Sequence, residues 1–203
     1  AGPIEHAYFQ RVPPAHDGEV PVPLVLDFHG FLEGSAVHAA HSELGPFGDD
    51  AGFVTLTPDS GREPDRWELT ADDDVECVEA LLDRTEAELC IDRNRVFTTG
   101  LSMGGFFSTL LSCRLSERIA AAAPVAGIAI PDPCPATRPV PAVVFFGTDD
   151  PIVSYDGGLG AGAAELPGLE GEGNLDDIDQ EALEEALPGV EDSVAAWAGR
   201  NGC

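Results

Sequence analysis

The amino-acid sequence predicts an α/β fold: a mostly parallel β-sheet with helices on both faces. Short apolar runs of strand length alternate with segments of helical period, the pattern of strands buried on both sides and joined by crossover helices. The chain has 203 residues, enough for one domain with a substantial core. A Gly-x-Ser-x-Gly pentapeptide also stands between one such apolar run and one such helix. No internal repeat divides the chain.

The elements follow in order. Leu24-Val25-Leu26-Asp27-Phe28 reads as a strand bounded by Pro23 and by His29-Gly30. Residues 52–56 form another, closed by Pro58. Val75, Val78, Leu81, Leu82 and Leu89 share one face of a helix over about residues 72–89, and Thr70 with Asp73 suits a capping box at its start. Asp92-Arg93-Asn94 turns the chain into the strand Val96-Phe97-Thr98-Thr99. The helix after Ser102 carries Phe106, Leu110 and Leu111 and ends near Cys113; residues 120–125 and 140–146 are two further buried strands.

The last quarter differs in composition. Residues 156–173, rich in glycine and alanine, read as a long loop. Residues 176–187 read as a short acidic helix with Ile178, Ala182, Leu183 and Ala186 inward, stopped by Pro188-Gly189. Val190, Val194 and Trp197 mark a final helix. Residues 156–189 together form an acidic excursion, readable either as a lid over an active site or as a solvated surface segment.

Charge narrows the function. There are 37 acidic residues against ten arginines and no lysine, a net charge of −27. Nothing here neutralises a polyanion, so nucleic-acid binding is excluded as an expectation. Mean hydropathy is −0.01, and no apolar run approaches the roughly 18 residues a membrane span needs. Acidic excess adds self-repulsion that salt would screen; a salt-adapted host and a lysine-poor proteome both account for it. The chain opens on Ala1-Gly2 and its one methionine is Met103, so we expect processing or trimming to have set the first residue.

Five cysteines, Cys77, Cys90, Cys113, Cys134 and Cys203, show no Cys-x-x-Cys or His/Cys cluster. A zinc site is therefore not expected, nor any other metal or cofactor. Two disulfides and one unpaired thiol fit an extracytoplasmic protein, and buried free thiols are the alternative. Cys77 and Cys90 lie near opposite ends of one helix, about 20 Å apart, and do not pair with each other.

The chemistry centres on Gly100-Leu101-Ser102-Met103-Gly104. A strand that turns sharply at a serine and leaves as a helix exposes the hydroxyl, and small flanking residues avoid collision in the turn. This is the nucleophile elbow of a serine hydrolase, with Ser102 as nucleophile. One oxyanion donor is the N–H after the nucleophile, Met103; the other comes from His29-Gly30-Phe31-Leu32, where we assign Phe31 N–H. His29 itself reads as a loop-ordering residue rather than a base. Asp149 and Asp150 follow the run that ends at Phe146, at the strand's C-terminal end where parallel-sheet sites lie, and one of them is the acid. All five histidines, His6, His16, His29, His38 and His41, precede Ser102, although a serine of this type usually draws its base from later in the chain.

Taken together, His29-Gly30, Asp73-Asp74-Val75, residues 90–96, 100–105 and 121–127, and Gly147-Thr148-Asp149-Asp150-Pro151-Ile152-Val153 resemble the extracellular esterases of the polyhydroxybutyrate depolymerase and feruloyl esterase type, within the α/β-hydrolases. The likeness runs from about Pro21 to Cys203. It implies an aspartate directly before Pro-Ile-Val as the acid, which falls on Asp150; Asp149 takes a position that is commonly alanine. It also implies one more strand and a glycine-rich turn bearing the catalytic histidine beyond a segment like Trp197–Cys203, so residues 1–203 are expected to be one α/β-hydrolase domain that lacks its C-terminal strand and histidine loop. Cys203 resembles a cysteine whose partner lies in that stretch. Cys113 with Cys134 is the preferred internal disulfide, and Cys90 with Cys113 competes.

The resulting expectation is a secreted serine esterase acting through an acyl-enzyme on aryl, feruloyl or hydroxyalkanoate esters, small or polymeric. Trp67 and Tyr155 are placed to contact the acyl group, with ordinary packing the alternative for Trp67. The competing readings are an impaired or ligand-binding remnant lacking the triad histidine, unless His29, His38 or His41 substitutes, and a peptidase or thioesterase on the same fold.

Overall fold

The computed structural model describes residues 7–166 and 187–203. Its strands are β1 (Tyr8–Arg11), β2 (Val22–Phe28), β3 (Val54–Pro58), β4 (Ile91–Leu101) and β5 (Ala121–Val125). Its helices are α1 (Gly34–Ser42), α2 (Leu44–Ala51), α3 (Asp73–Glu88), α4 (Met103–Arg114) and α5 (Val190–Asn201), with a 3-10 turn at Ala161–Glu165. The sheet runs β1-β3-β2-β4-β5. β3, β2, β4 and β5 are mutually parallel, and β1 closes one edge antiparallel to β3.

Period-two alternation in β2 places helices on both faces. Phe28 packs edge-on against Phe107 of α4, with ring centroids 5.0 Å apart. Its neighbour Asp27 points the other way, to His38 and Ser42 of α1. Leu24, Leu26, Phe28, Phe107 and Leu111 are fully buried, and α3 adds Val75, Val78 and Leu82 to the same core.

Sequence and structure part at four places. Residues 140–146 are not a buried strand: they make two isolated parallel bridges to β5, Ala122 with Ala142 and Val125 with Phe145. Val143 is 61% and Phe145 56% exposed. The capping box does not form, because the Thr70 hydroxyl binds Glu68 Oε1 at 2.5 Å and Asp72 is the cap. Asp92-Arg93-Asn94 lies inside β4 as a bulge, where β2 advances from Val22 to Leu24 while β4 advances from Ile91 to Val96. The final helix buries Val190, Ser193 and Trp197 rather than Val194. The helix read over residues 176–187 falls, Leu187 apart, outside the described residues, and so does His6.

The preferred disulfide is present: Cys113 and Cys134 are bonded, tying α4 to the loop after β5. Cys77, Cys90 and Cys203 are free thiols, which removes the Cys90–Cys113 alternative.

Phe107 holds the two aromatic stacks of the core together, at 5.0 Å from Phe28 and 4.6 Å from Trp67. Phe107→Ala should therefore cost about 3–5 kcal/mol of unfolding free energy in urea titration. Val143→Ala, at the exposed edge, should stay within about 0.5 kcal/mol; equal losses in the two variants would contradict this placement of the core.

Candidate active site

Because β2, β3, β4 and β5 are parallel, their C-terminal ends gather at one edge of the sheet, and residues 142–145 join it by parallel bridges. Ser102 follows β4, His29-Gly30 follows β2, Ala126-Gly127 follows β5, and Asp150 follows the edge segment. Topology alone therefore brings the predicted nucleophile, oxyanion loop and acid to the same rim.

Ser102 is half-buried and has φ 51° and ψ −115°, a conformation that side-chain-bearing residues hold only when the surroundings enforce it. The enforcement is steric. A Cβ on Gly100 would lie 2.6 Å from the Phe28 carbonyl oxygen, and one on Gly104 would overlap that same oxygen. Ser102 N–H donates to Val125 O at 2.8 Å, and Ser102 O accepts from Gly105 and Phe106 in the first turn of α4. Met103 opens α4, where an N–H has no partner inside the helix.

The His29–Leu32 loop reaches this elbow: a Cβ on Gly30 would stand 3.9 Å from Ser102 Cβ. Gly30 N–H donates to Glu33 Oε2 at 2.9 Å, Leu32 N–H to Asp65 O at 2.9 Å, and Glu33 N–H to Gly30 O at 3.4 Å. Phe31 N–H has no acceptor among the described residues. Leu32 carries φ 63°, a left-handed turn that folds the loop back on itself.

Asp150 is half-buried, and its Oδ1 accepts from Ile152 N–H at 2.8 Å and Val153 N–H at 3.1 Å. These bonds hold the carboxylate in a tight turn and leave Oδ2 without a partner among the described residues. Asp149 is exposed. Tyr155 lies half-buried beside Phe146, with ring centroids 6.1 Å apart.

Trp67 is not on the substrate side. It is 2% exposed, stacked on Phe107, and donates Nε1–H to His29 O at 2.9 Å. Its reach into the site is indirect, through the backbone of the oxyanion loop.

The histidines are committed elsewhere. His29 is fully buried; its Nδ1 lies 2.8 Å from Gly30 O, an atom that only accepts, so Nδ1 carries the proton. Its Nε2 then accepts Ser60 N–H at 3.2 Å. Both nitrogens are occupied by the loop. His38 is likewise buried between Asp27 Oδ1 at 2.8 Å and Glu33 Oε2 at 3.0 Å. His41 is exposed beside Glu33 Oε1, and His16 buries both ring nitrogens without a partner.

Burial opposes charging His38, but the Asp27 and Glu33 carboxylates outweigh it and lift its pKa above the ordinary imidazole value. Burial also pushes the Glu33 carboxyl up, yet the Gly30 amide and His38 hold it below the usual range. Glu33 was not visible in the sequence as a site residue. Its signal is Gly30-x-x-Glu33 with glycine at the first position, the spacing by which the glutamate of a capping box reaches back three residues to an amide. Among the described residues, no group of three or more His, Cys, Asp or Glu is arranged to hold a metal ion. None of their helices is long and apolar enough to cross a membrane.

No protein-family model matches the chain. It is similar to a bifunctional acetylxylan esterase/xylanase of Neocallimastix patriciarum, 31% identical over 66% of this chain and 20% of that one. Feruloyl esterase B of Piromyces equi is 26% identical over 95% of this chain and 35% of its own length. A probable feruloyl esterase C of Aspergillus flavus is 28% identical over 76% and 58%. The chain thus spans less than two thirds of each of these relatives. Among solved structures, a thermostable esterase superposes with TM-score 0.59 at 23% identity, covering 73% of this chain and 44% of that one. An acetyl xylan esterase from Aspergillus awamori gives 0.55 at 19%, covering 60% and 48%. These superpositions establish the α/β-hydrolase fold, and the sequence relatives bear out the resemblance to feruloyl esterases.

The ionic pair of His38 and Glu33 makes stability depend on pH with a definite sign. His38, raised in the folded chain, contributes fully below its unfolded value of about 6.5 and loses that contribution as pH rises through the folded pKa. Glu33, held low, contributes above about 4.3 and loses it as pH falls. Unfolding free energy should therefore decline on the alkaline side of about 6.5, and His38→Gln should flatten that decline. A variant profile parallel to the wild type in urea titrations across this window would contradict the pairing.

Proposed function

We propose that the chain is the nucleophile-bearing part of a serine carboxylic ester hydrolase. One observation carries the reading: a strained Ser102 at the strand end, with the Met103 and Phe31 N–H groups both left to receive an oxyanion. Ser102 Oγ attacks the ester carbonyl carbon while its proton passes to a histidine. The negative oxygen is held by Met103 and Phe31 N–H, and the tetrahedral species collapses as the alcohol leaves with that proton. Water then attacks the acyl-Ser102 carbonyl, giving one proton to the same histidine, and the acyl–Oγ bond breaks as Ser102 Oγ takes that proton and the acid is released. No metal or cofactor enters these steps.

Asp150 orients the histidine through Oδ2. In this reading the histidine is supplied from outside residues 1–203. Full engagement of the ring nitrogens of His29 and His38 supports this, as does the greater length of the relatives. Their names favour feruloyl and acetylated-xylan esters, and hydroxyalkanoate esters are the third candidate class. Tyr155 and Phe146 offer an aromatic surface next to the acid. The Cys113–Cys134 disulfide supports an exported protein, and the acidic surface argues against nucleic acid as a partner. The second reading, an ester-binding chain without turnover, rests on the same occupied histidines.

The tests are direct. The complete protein should hydrolyse p-nitrophenyl acetate and methyl ferulate, and Ser102→Ala should abolish this; turnover indifferent to that change would sink the assignment. The 203-residue chain should be at least about a thousandfold slower than the complete protein, as for loss of a triad member. Comparable rates would mean that one of the upstream histidines serves as base.

A further inference from the structure

We propose that Glu33 is the positioning residue of the oxyanion loop, anchored to the centre of the sheet by the buried chain Asp27–His38–Glu33. This rests on the reading of Ser102 as nucleophile and Phe31 N–H as oxyanion donor, and goes beyond it by naming what selects that donor.

A single carboxylate oxygen, Glu33 Oε2, accepts both Gly30 N–H at 2.9 Å and His38 Nδ1–H at 3.0 Å. On the far side of the ring, His38 Nε2–H donates to Asp27 Oδ1 at 2.8 Å, and Asp27 Oδ2 accepts the Ser42 hydroxyl at 2.7 Å. Two carboxylate acceptors require two donors, so His38 is an imidazolium between two anions. Asp27 is in β2, one residue before Phe28, whose carbonyl is wedged against the elbow. The chain therefore links the loop to the same strand that fixes Ser102.

The consequence is a choice among amides. Glu33 occupies Gly30 N–H, and the backbone occupies those of Leu32 and Glu33. Of residues 30–33, only Phe31 N–H is left without an acceptor among the described residues. A buried ionic chain is a poor way to gain stability, since the desolvation of its charges offsets their attraction. What it does supply is direction: a charged acceptor fixed from behind, pulling one amide inward so that the next faces the nucleophile.

The experiment uses the complete protein with Glu33→Ala, Glu33→Gln and Glu33→Asp, beside Ser102→Ala. Kinetics on methyl ferulate are read with the affinity for phenylboronic acid, which forms a tetrahedral anion on a nucleophilic serine, and for the product ferulate, which does not. Glu33→Ala should lower kcat about 100-fold, leave KM and ferulate affinity within about threefold, and weaken the boronate by a factor similar to kcat. Glu33→Gln keeps an oxygen acceptor for Gly30 and His38 and should stay within about fivefold of wild type. Wild-type kcat in Glu33→Ala, or lost kcat with boronate affinity intact, overturns the inference.

Should Glu33→Ala fail to fold, the other two variants decide. Aspartate, one methylene shorter, should show the paired loss of kcat and boronate affinity, and equal behaviour of Asp and Gln overturns the proposal. Hydrolysis that survives Ser102→Ala overturns the parent reading and this inference together. Hydrolysis that needs Ser102 but ignores Glu33 overturns only the inference.

Discussion

The Phe28 carbonyl oxygen occupies the place where a side chain on Gly104 would begin. That approach seats the first turn of α4 directly on the end of β2, and the site follows from it. With α4 so close, the chain between β4 and α4 has room for a single residue, and Ser102 takes φ 51° to fill it. The cost of that backbone is of the order of 1–3 kcal/mol. It is offset by a core in which the rings of Phe28, Phe107 and Trp67 pack within 5.2 Å of one another. The glycine pair of the motif is thus a packing requirement of two elements, and the strained backbone of Ser102 is its by-product.

This explains which parts of the fold were legible in the sequence. β2, α3 and α4 each carry a period or a motif that survives in isolation and were read to within a few residues of their bounds, whereas β4 was read only over its last half because Asp92-Arg93-Asn94 looked like a turn. β1 was missed because a four-residue edge strand has too little alternation to register. α1 and α2 were missed because Gly34, Gly45, Pro46 and Gly48 dilute the helical signal; tertiary packing decides there. The run Val143-Val144-Phe145-Phe146 looked buried on hydrophobicity alone, but Val143 and Phe145 face outward at the edge of the sheet. Apolar content says that a face is to be covered; it does not say by which segment.

The site was legible to a different degree. The motif singled out Ser102 as a candidate, and the strand order brings Phe31, Met103 and Asp150 to the same rim as it. Trp67 was misplaced because an indole near a site motif looks like a ligand contact, whereas here its N–H is consumed by the His29 carbonyl. Glu33 stayed hidden because its role rests on a hydrogen bond to a backbone amide and on a histidine five residues later. Neither bond leaves a hydrophobic period or a familiar motif.

The two proposed oxyanion donors are therefore held by different physics. Met103 N–H is fixed by steric exclusion, through glycines that admit one backbone path, and nothing about it titrates. Phe31 N–H is held indirectly, through a Glu33 oxygen that accepts its neighbour's amide and through the His38 ring behind that oxygen. Elsewhere the chain spends its arginines at the surface: seven of the ten pair with carboxylates there or at the core boundary. With no lysine in the chain, the cation enclosed beside the candidate site among the described residues is a histidine. The charge on that histidine is set locally, by the Asp27 and Glu33 carboxylates that flank the ring, because salt screens surface charges more than about 10 Å away.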